Sequence, residues 1–390
     1  MMPIQKIAWK EAGWVFALSR LVILVISYVG SARFPVNERP PVPTCSVDFM
    51  TCLLAWQHWD VLSYMSVAQN GYAHPSDTAF FPLWPLLIHV GAFLLGSSTT
   101  AYYVASLVLA NLFFYLALVV LYALLSEEFE PTVARNALYY LAFYPYALFF
   151  FAGYTESLFL LLSLAVFFFL QRGKTLDWWF AGLCGFLAAL TRSPGIVLAV
   201  PFLVLFLQRF WFYGQYKQTT WRQKLLALAP IILIPLGVVV YMLYLDYTKG
   251  DPLLFSTEEA ASWNRHLSAP WTGIFFALEG LFVSSTLRIL NVLDLVFTLI
   301  PLFALLVGFR RIPIHYSLFA LVMVIFSLAY PQGTTVPLTA VPRYMMVIFP
   351  IIAIFAQWGK HLRFDKLFIT FSVALFAINI VLFISHYWVA

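Results

Sequence analysis

AYYVASLVLANLFFYLALVVLYALL, residues 101–125, runs on without a single charged side chain. A helix rises about 1.5 Å per residue, so about 20 apolar residues cross a hydrocarbon core about 30 Å thick. A barrel strand would instead alternate apolar and polar positions, and this stretch does not. The stretch is therefore predicted to be a membrane-spanning helix. Similar runs fall at about 13–31, 134–152, 157–171, 177–191, 196–212, 225–246, 287–309, 314–330, 344–358 and 367–388. The expectation is an all-α polytopic membrane protein with about 11 transmembrane helices. It is read as a single integral-membrane domain over 1–390, because no linker or repeat divides it.

Composition agrees. The 390 residues are 63% hydrophobic and 10% charged. Soluble domains carry about 45–50% apolar and about 25% charged residues. A soluble enzyme, a disordered chain and a disulfide-stapled secreted domain are excluded. The net charge of +5 is not a nucleic-acid signal, because Lys and Arg in such chains report which loops face the cytoplasm. Cys184 lies in an apolar run. Cys45 and Cys52 share one polar segment, and the sequence leaves a disulfide and two free thiols equally open. The N-terminal run exceeds a typical signal-peptide core and is read as an uncleaved first span.

The run 80–96, FFPLWPLLIHVGAFLLG, contains two prolines and a histidine. It is expected to lie along the membrane surface. Under that topology fifteen of the 22 Lys and Arg, Arg20 among them, fall to the cytoplasmic side. Counting 80–96 as a span scrambles the asymmetry that the positive-inside rule expects. The N-terminus is then cytoplasmic, and two long segments lie outside: a first outer loop at 32–100 with interfacial helices, and a second at 246–286.

Acids embedded in apolar sequence at the outer ends of spans are the candidates for chemistry, since ionisable groups at membrane level are expensive and often functional. Asp60 sits in Trp56-Gln57-His58-Trp59-Asp60, with Tyr64 four residues on. This reads either as an aromatic wall beside a working carboxylate or as an interfacial aromatic belt with an incidental acid. Glu156, in Tyr154-Thr155-Glu156-Ser157, falls between two apolar runs. It is read as a site acid, a reading compatible with a helix N-terminal acid stabilised by the dipole. Arg192 and Arg343 defy the positive-inside trend. Their planar forks suit a phosphate, and pairing with a structural acid is the competing reading. The second outer loop interleaves polar and aromatic residues, including Trp263, Arg265 and Trp271, as a substrate loop or a plain interfacial loop would. The chain has no GxxxxGK[ST], CxxC, HExxH or GxSxG, and the first loop has no Asp-x-Asp. Nucleotide hydrolysis, a zinc site and a serine hydrolase are not indicated, and no metal or cofactor is required.

Five motifs in order resemble PIG-V-like mannosyltransferases, relatives of the second mannosyltransferase of glycosylphosphatidylinositol anchor assembly. They are Trp59-Asp60 with Tyr64, Ala68-Gln69-Asn70-Gly71-Tyr72 and Ala79-Phe80-Phe81-Pro82-Leu83-Trp84-Pro85; Tyr144-Pro145 with Tyr154-Thr155-Glu156-Ser157-Leu158-Phe159; Arg192-Ser193-Pro194-Gly195; Asp251-Pro252 with Trp263-Asn264-Arg265 and Pro270-Trp271; and Pro342-Arg343-Tyr344 with Phe349-Pro350. The resemblance implies a GT-C glycosyltransferase fold with its active site on the outer or lumenal face. It implies a polyprenyl- or dolichyl-phosphate mannose donor, a glycolipid or glycan acceptor, and no nucleic acid. Asp60 falls at the carboxylate that acts as base in GT-C enzymes, and Glu156 at the acidic position of the next outer loop. His58, Trp59, Tyr64, Arg192, Trp263, Arg265, Arg343 and Tyr344 are then the expected donor- or acceptor-binding residues. The chain is shorter than expected for a eukaryotic member, which favours a bacterial or archaeal plasma membrane over the endoplasmic reticulum. Two other readings are a GT-C enzyme carrying a different sugar and, from another class, a lipid transporter or flippase. Transporters often show internal repeats and broken mid-span helices, and neither is evident here.

Overall fold

The computed structural model describes residues 2–34, 36, 53–212, 220–283 and 287–389. Cys45 and Cys52 lie outside them. In chain order the helices are α1 Met2–Arg33, α2 Asp60–Asn70, α3 Leu83–Leu94, α4 Thr99–Glu128, α5 Pro131–Ala142, α6 Glu156–Arg172, α7 Thr175–Thr191, α8 Ala199–Leu207 and α9 Trp221–Leu228. They continue as α10 Leu233–Lys249, α11 Leu254–Trp263, α12 Thr272–Gly280, α13 Arg288–Gly308, α14 Ile314–Leu328, α15 Val341–Met346, α16 Phe349–Trp358 and α17 Leu362–Ile384. Among the described residues there is no strand, only an isolated bridge between Arg265 and Gln332. The chain is a multi-pass helical membrane protein.

Six segments of the described residues are long and apolar enough to cross a membrane: Lys6–Arg33, Thr99–Glu128, Ser193–Phe212, Trp221–Lys249, Arg288–Gly308 and Leu362–Ile384. The expected eleven apolar runs are therefore not eleven long continuous helices. The run 134–152 shows the physical reason. Pro145 lacks an N–H and disfavours helix at Tyr144, so α5 ends at Ala142 and a short 3-10 turn follows at Ala147–Phe150. The carbonyl of Pro145 is satisfied from outside, accepting from Asn379 Nδ2 at 2.9 Å. Pro350 likewise follows a break between α15 and α16. The helix in the 80–96 run, α3, has 12 residues and is about 18 Å long, short of a hydrocarbon core about 30 Å thick.

The chain packs as two compact units. The first comprises residues 1–71, 85–157 and 355–390. Its α1 packs on α4 and α17. Arg20, expected among the cytoplasmic charges, is instead 8% exposed in the middle of α1. Its guanidinium rests 4.9 Å from the Phe16 ring and 4.5 Å from the Phe114 ring, which supplies the cation–π attraction its burial needs.

The second unit comprises residues 72–84 and 158–354. In it α7 and α10 approach closely because glycines face the seam. A Cβ on Gly237 would lie 2.4 Å from the Phe186 carbonyl oxygen, and one on Gly185 would lie 2.6 Å from Ile234 Cγ1. Small residues permit this backbone approach between apolar helices. The segment 72–84 docks on α10: Tyr241 Oη donates to the Thr78 carbonyl at 2.7 Å, and Lys249 Nζ to that of Tyr72 at 2.7 Å.

Candidate active site

In the first unit the candidate acids sit at the starts of helices. Asp60 is the first residue of α2, preceded by Trp59 at φ 53° and ψ −129°. A positive φ is uncommon for a bulky residue. Edge-to-face packing of Trp59 on Trp388, centroids 4.9 Å apart, accompanies it. Trp56 is fully buried and packs against Phe151 at 4.8 Å and Phe383 at 5.3 Å. His58 meets His386 edge-on, with ring centroids 3.4 Å apart. The N-terminal end of α2 is thus seated on the rings around Phe383.

Glu156 opens α6 and is 0% exposed, between buried Thr155 and Ser157. The turn before it packs on α2. Gly153 adopts φ +67°, and a Cβ there would lie 3.6 Å from Val61 Cγ1, the residue after Asp60. Tyr154 meets Tyr64 edge-on at 6.4 Å. The structure therefore brings the Asp60 helix and the Glu156 turn together.

In the second unit three arginines from three distant stretches converge on one ring. The guanidinium carbons of Arg192, Arg343 and Arg265 lie 4.5, 5.3 and 5.9 Å from the Tyr344 centroid. Arg192 follows the end of α7, and Arg343 lies in α15, 8% exposed. Arg265 donates to the Thr339 carbonyl at 3.2 Å and pairs with Glu259 at 3.8 Å. Its second nitrogen reaches the Tyr344 hydroxyl at 3.4 Å. Gly333, at φ +57°, lets its turn pass Asn264, since a Cβ would lie 2.5 Å from Asn264 Nδ2. Burial alone would raise the Tyr344 phenol, but the positive charge of Arg265, Arg343 and Arg192 outweighs it and holds the phenol below its usual range. Such a concentration of bidentate donors is matched to a phosphate. Trp263, also singled out in the sequence, packs edge-on against Phe80 at 5.7 Å.

Among the described residues no group of three or more His, Cys, Asp or Glu is placed to hold a metal ion. Two features escaped sequence reading. His386 lies far from His58 in the chain. Asp294 lies inside a span, flanked by Asn291 and Thr298, and the polar i, i+3, i+7 spacing within an apolar run was its available signal.

The Mannosyltransferase (PIG-V) family model matches residues 40–263, more than half of the chain. GPI alpha-1,6-mannosyltransferase 2 of Rattus norvegicus is 32% identical over 205 residues, covering 48% of this chain and 41% of that protein. GPI mannosyltransferase 2 of Schizosaccharomyces pombe is 28% identical over 240 residues, covering 57% and 50%. The matches thus span about half or less of the length of these curated relatives. Among solved structures, ArnT from Cupriavidus metallidurans bound to undecaprenyl phosphate superposes with a TM-score of 0.51 at 14% identity, covering 96% of this chain and 76% of that one. That likeness shows the fold, the GT-C fold. On its motifs, its helical architecture and the family match, the chain belongs to the PIG-V mannosyltransferase family.

Proposed function

We propose that this protein transfers a mannosyl residue from a polyprenyl- or dolichyl-phosphate donor to a glycolipid or glycan acceptor on the outer or lumenal face of its membrane. The observation that carries the reading is the set of three arginines around Tyr344, phosphate-binding chemistry in a family whose relatives are named as mannosyltransferases. Undecaprenyl phosphate bound to the structurally similar ArnT supports a lipid-phosphate donor.

Asp60 accepts the proton of the acceptor hydroxyl as its oxygen attacks the anomeric carbon. The bond from that carbon to the phosphate oxygen breaks, and its electron pair leaves with the lipid phosphate. A single displacement inverts the anomeric centre. A phosphate is already a good leaving group, so no general acid is needed, whereas the hydroxyl needs a base. Arg192, Arg265 and Arg343 hold the phosphate and stabilise the charge that develops on it. Glu156 orients the acceptor or tunes Asp60. His58, Trp59, Tyr64 and Trp263 supply hydrogen-bonding and aromatic surface for the substrates.

The test is single-turnover transfer from polyprenyl-phosphate mannose by wild type and Asp60→Asn. Base catalysis contributes about 10²- to 10⁴-fold, so transfer falls by that order while donor binding is retained. Near-normal transfer by the Asn variant removes Asp60 from the role and makes Glu156 the next candidate. No transfer by wild type with any lipid-phosphate sugar refutes the reading as a whole.

A further inference from the structure

The buried face of α13 carries three polar side chains one turn apart, Asn291, Asp294 and Thr298, in an otherwise apolar span. They are 3%, 6% and 0% exposed. Nothing in the donor-phosphate chemistry or the base accounts for them. Polar groups at this depth are expensive unless paired, yet Asn291 Oδ1 and Thr298 Oγ1 have no hydrogen-bond partner among the described residues. The two orphaned atoms bracket a carboxylate along one helix face.

The stripe is coupled to the arginine cluster within the second unit. Helix α13 packs on α15, which carries Arg343 and Tyr344. Asn291 Nδ2 donates to the Thr335 carbonyl at 3.0 Å, and Arg265 holds Thr339 and Gln332 of the same loop at 3.2 and 3.5 Å. Asn291 and Arg265 thus fix one loop from two sides.

We propose that Asn291, Asp294 and Thr298 form a hydroxyl-recognising subsite for a hexose. An amide oxygen, a carboxylate and a threonine hydroxyl in a row offer acceptors to the O–H groups of a sugar, whereas a lipid tail would leave them desolvated. The inference rests on the reading that the arginines hold the donor phosphate, because that places the phosphate-linked sugar near α15. A hexose can come from the donor or from the acceptor glycan, and the experiment separates them.

The full-length protein in nanodiscs is titrated with polyprenyl phosphate and with polyprenyl-phosphate mannose, and the acceptor KM is measured in parallel. Variants are Asp294→Asn and Thr298→Val, the second nearly isosteric and so safe for folding. Loss of a hydrogen bond to a neutral sugar hydroxyl is worth about 2- to 10-fold, and one involving a carboxylate about 10-fold or more. A donor-sugar site predicts that the preference for the mannosylated lipid over the bare lipid phosphate falls by these factors while bare-phosphate affinity is unchanged. An acceptor-sugar site predicts an unchanged preference with a raised acceptor KM. Equal weakening of both lipids, or no change in any of the three values, overturns the subsite. If wild type fails to bind bare polyprenyl phosphate, or Arg343→Lys leaves that binding intact, it is the phosphate reading that has failed.

Discussion

Gly153→Ala probes how the turn before Glu156 is held against Ser106 of α4. Gly153 has φ +67°, and an added Cβ would lie 2.8 Å from Ser106 Oγ, 3.3 Å from Ser106 Cβ and 3.6 Å from Val61 Cγ1. The left-handed backbone costs a residue with a Cβ about 1–2 kcal/mol. Ser106 cannot simply withdraw, because it is fully buried and its hydroxyl donates to the Tyr103 carbonyl at 2.7 Å. Overpacking of this kind adds about 1–3 kcal/mol. The expected total is about 2–5 kcal/mol. Gly250→Ala supplies the reference: φ is +77° and nothing lies within 4 Å of the new Cβ, so only the backbone contribution of about 1–2 kcal/mol remains. Adding Ser106→Ala to Gly153→Ala removes the 2.8 Å contact and should recover about 1 kcal/mol of the excess. Unfolding by titration with SDS in mixed micelles measures all four proteins. On the proposed roles of Asp60 and Glu156, single-turnover transfer should fall about tenfold in Gly153→Ala, because small displacements of groups at a reacting centre are costly. If Gly153→Ala is no more destabilising than Gly250→Ala, the close approach of this turn to Ser106 of α4 is wrong.

Replacing Arg192 or Arg343 with Lys keeps the charge and loses the bidentate fork; titration with polyprenyl phosphate should show about tenfold weaker binding in a folded protein, and unchanged affinity in both variants would make the arginines structural. The Tyr344 phenol, held below its usual range by three arginines, should appear in an ultraviolet titration as a component absent from Tyr344→Phe. Occupying the cluster with a lipid phosphate should move that component to higher pH. Single cysteines at Asn70 and Ser97, in a background lacking the native cysteines, should label from the same side of the membrane; labelling from opposite sides would mean that α3 crosses it.

Much of the architecture was legible because continuous apolar runs have few alternatives. The number of helices was less so. Tyr144-Pro145 lies inside a run that hydropathy alone reads as unbroken, and the break depends on Asn379, over two hundred residues later, satisfying the Pro145 carbonyl. Arg192, Arg265 and Arg343 could each be picked out by their sequence surroundings. Their meeting on Tyr344 could not, since it is a property of packing among the residue after α7, the stretch after α11 and α15. A charge count treats every arginine as a loop residue, whereas the Phe16 and Phe114 rings hold Arg20 inside a span. The signal of Asp294 lies inside a span, in its polar spacing with Asn291 and Thr298, rather than at a span's end.

The docking of residues 72–84 on α10 has a consequence for the order in which the protein is made. The segment belongs with helices that follow it in the chain, and its hydrogen-bond donors Tyr241 and Lys249 come more than 150 residues later. At about 5–20 residues per second the ribosome needs about ten to thirty seconds to reach them. During that interval Phe81 has no Tyr241 to rest on and Phe80 no Trp263, and the bilayer interface is the surface open to such aromatic side chains. The segment 72–84 is therefore a late-finished part of an early-made region, and variants that slow insertion of α10 should leave it the preferred point of proteolysis.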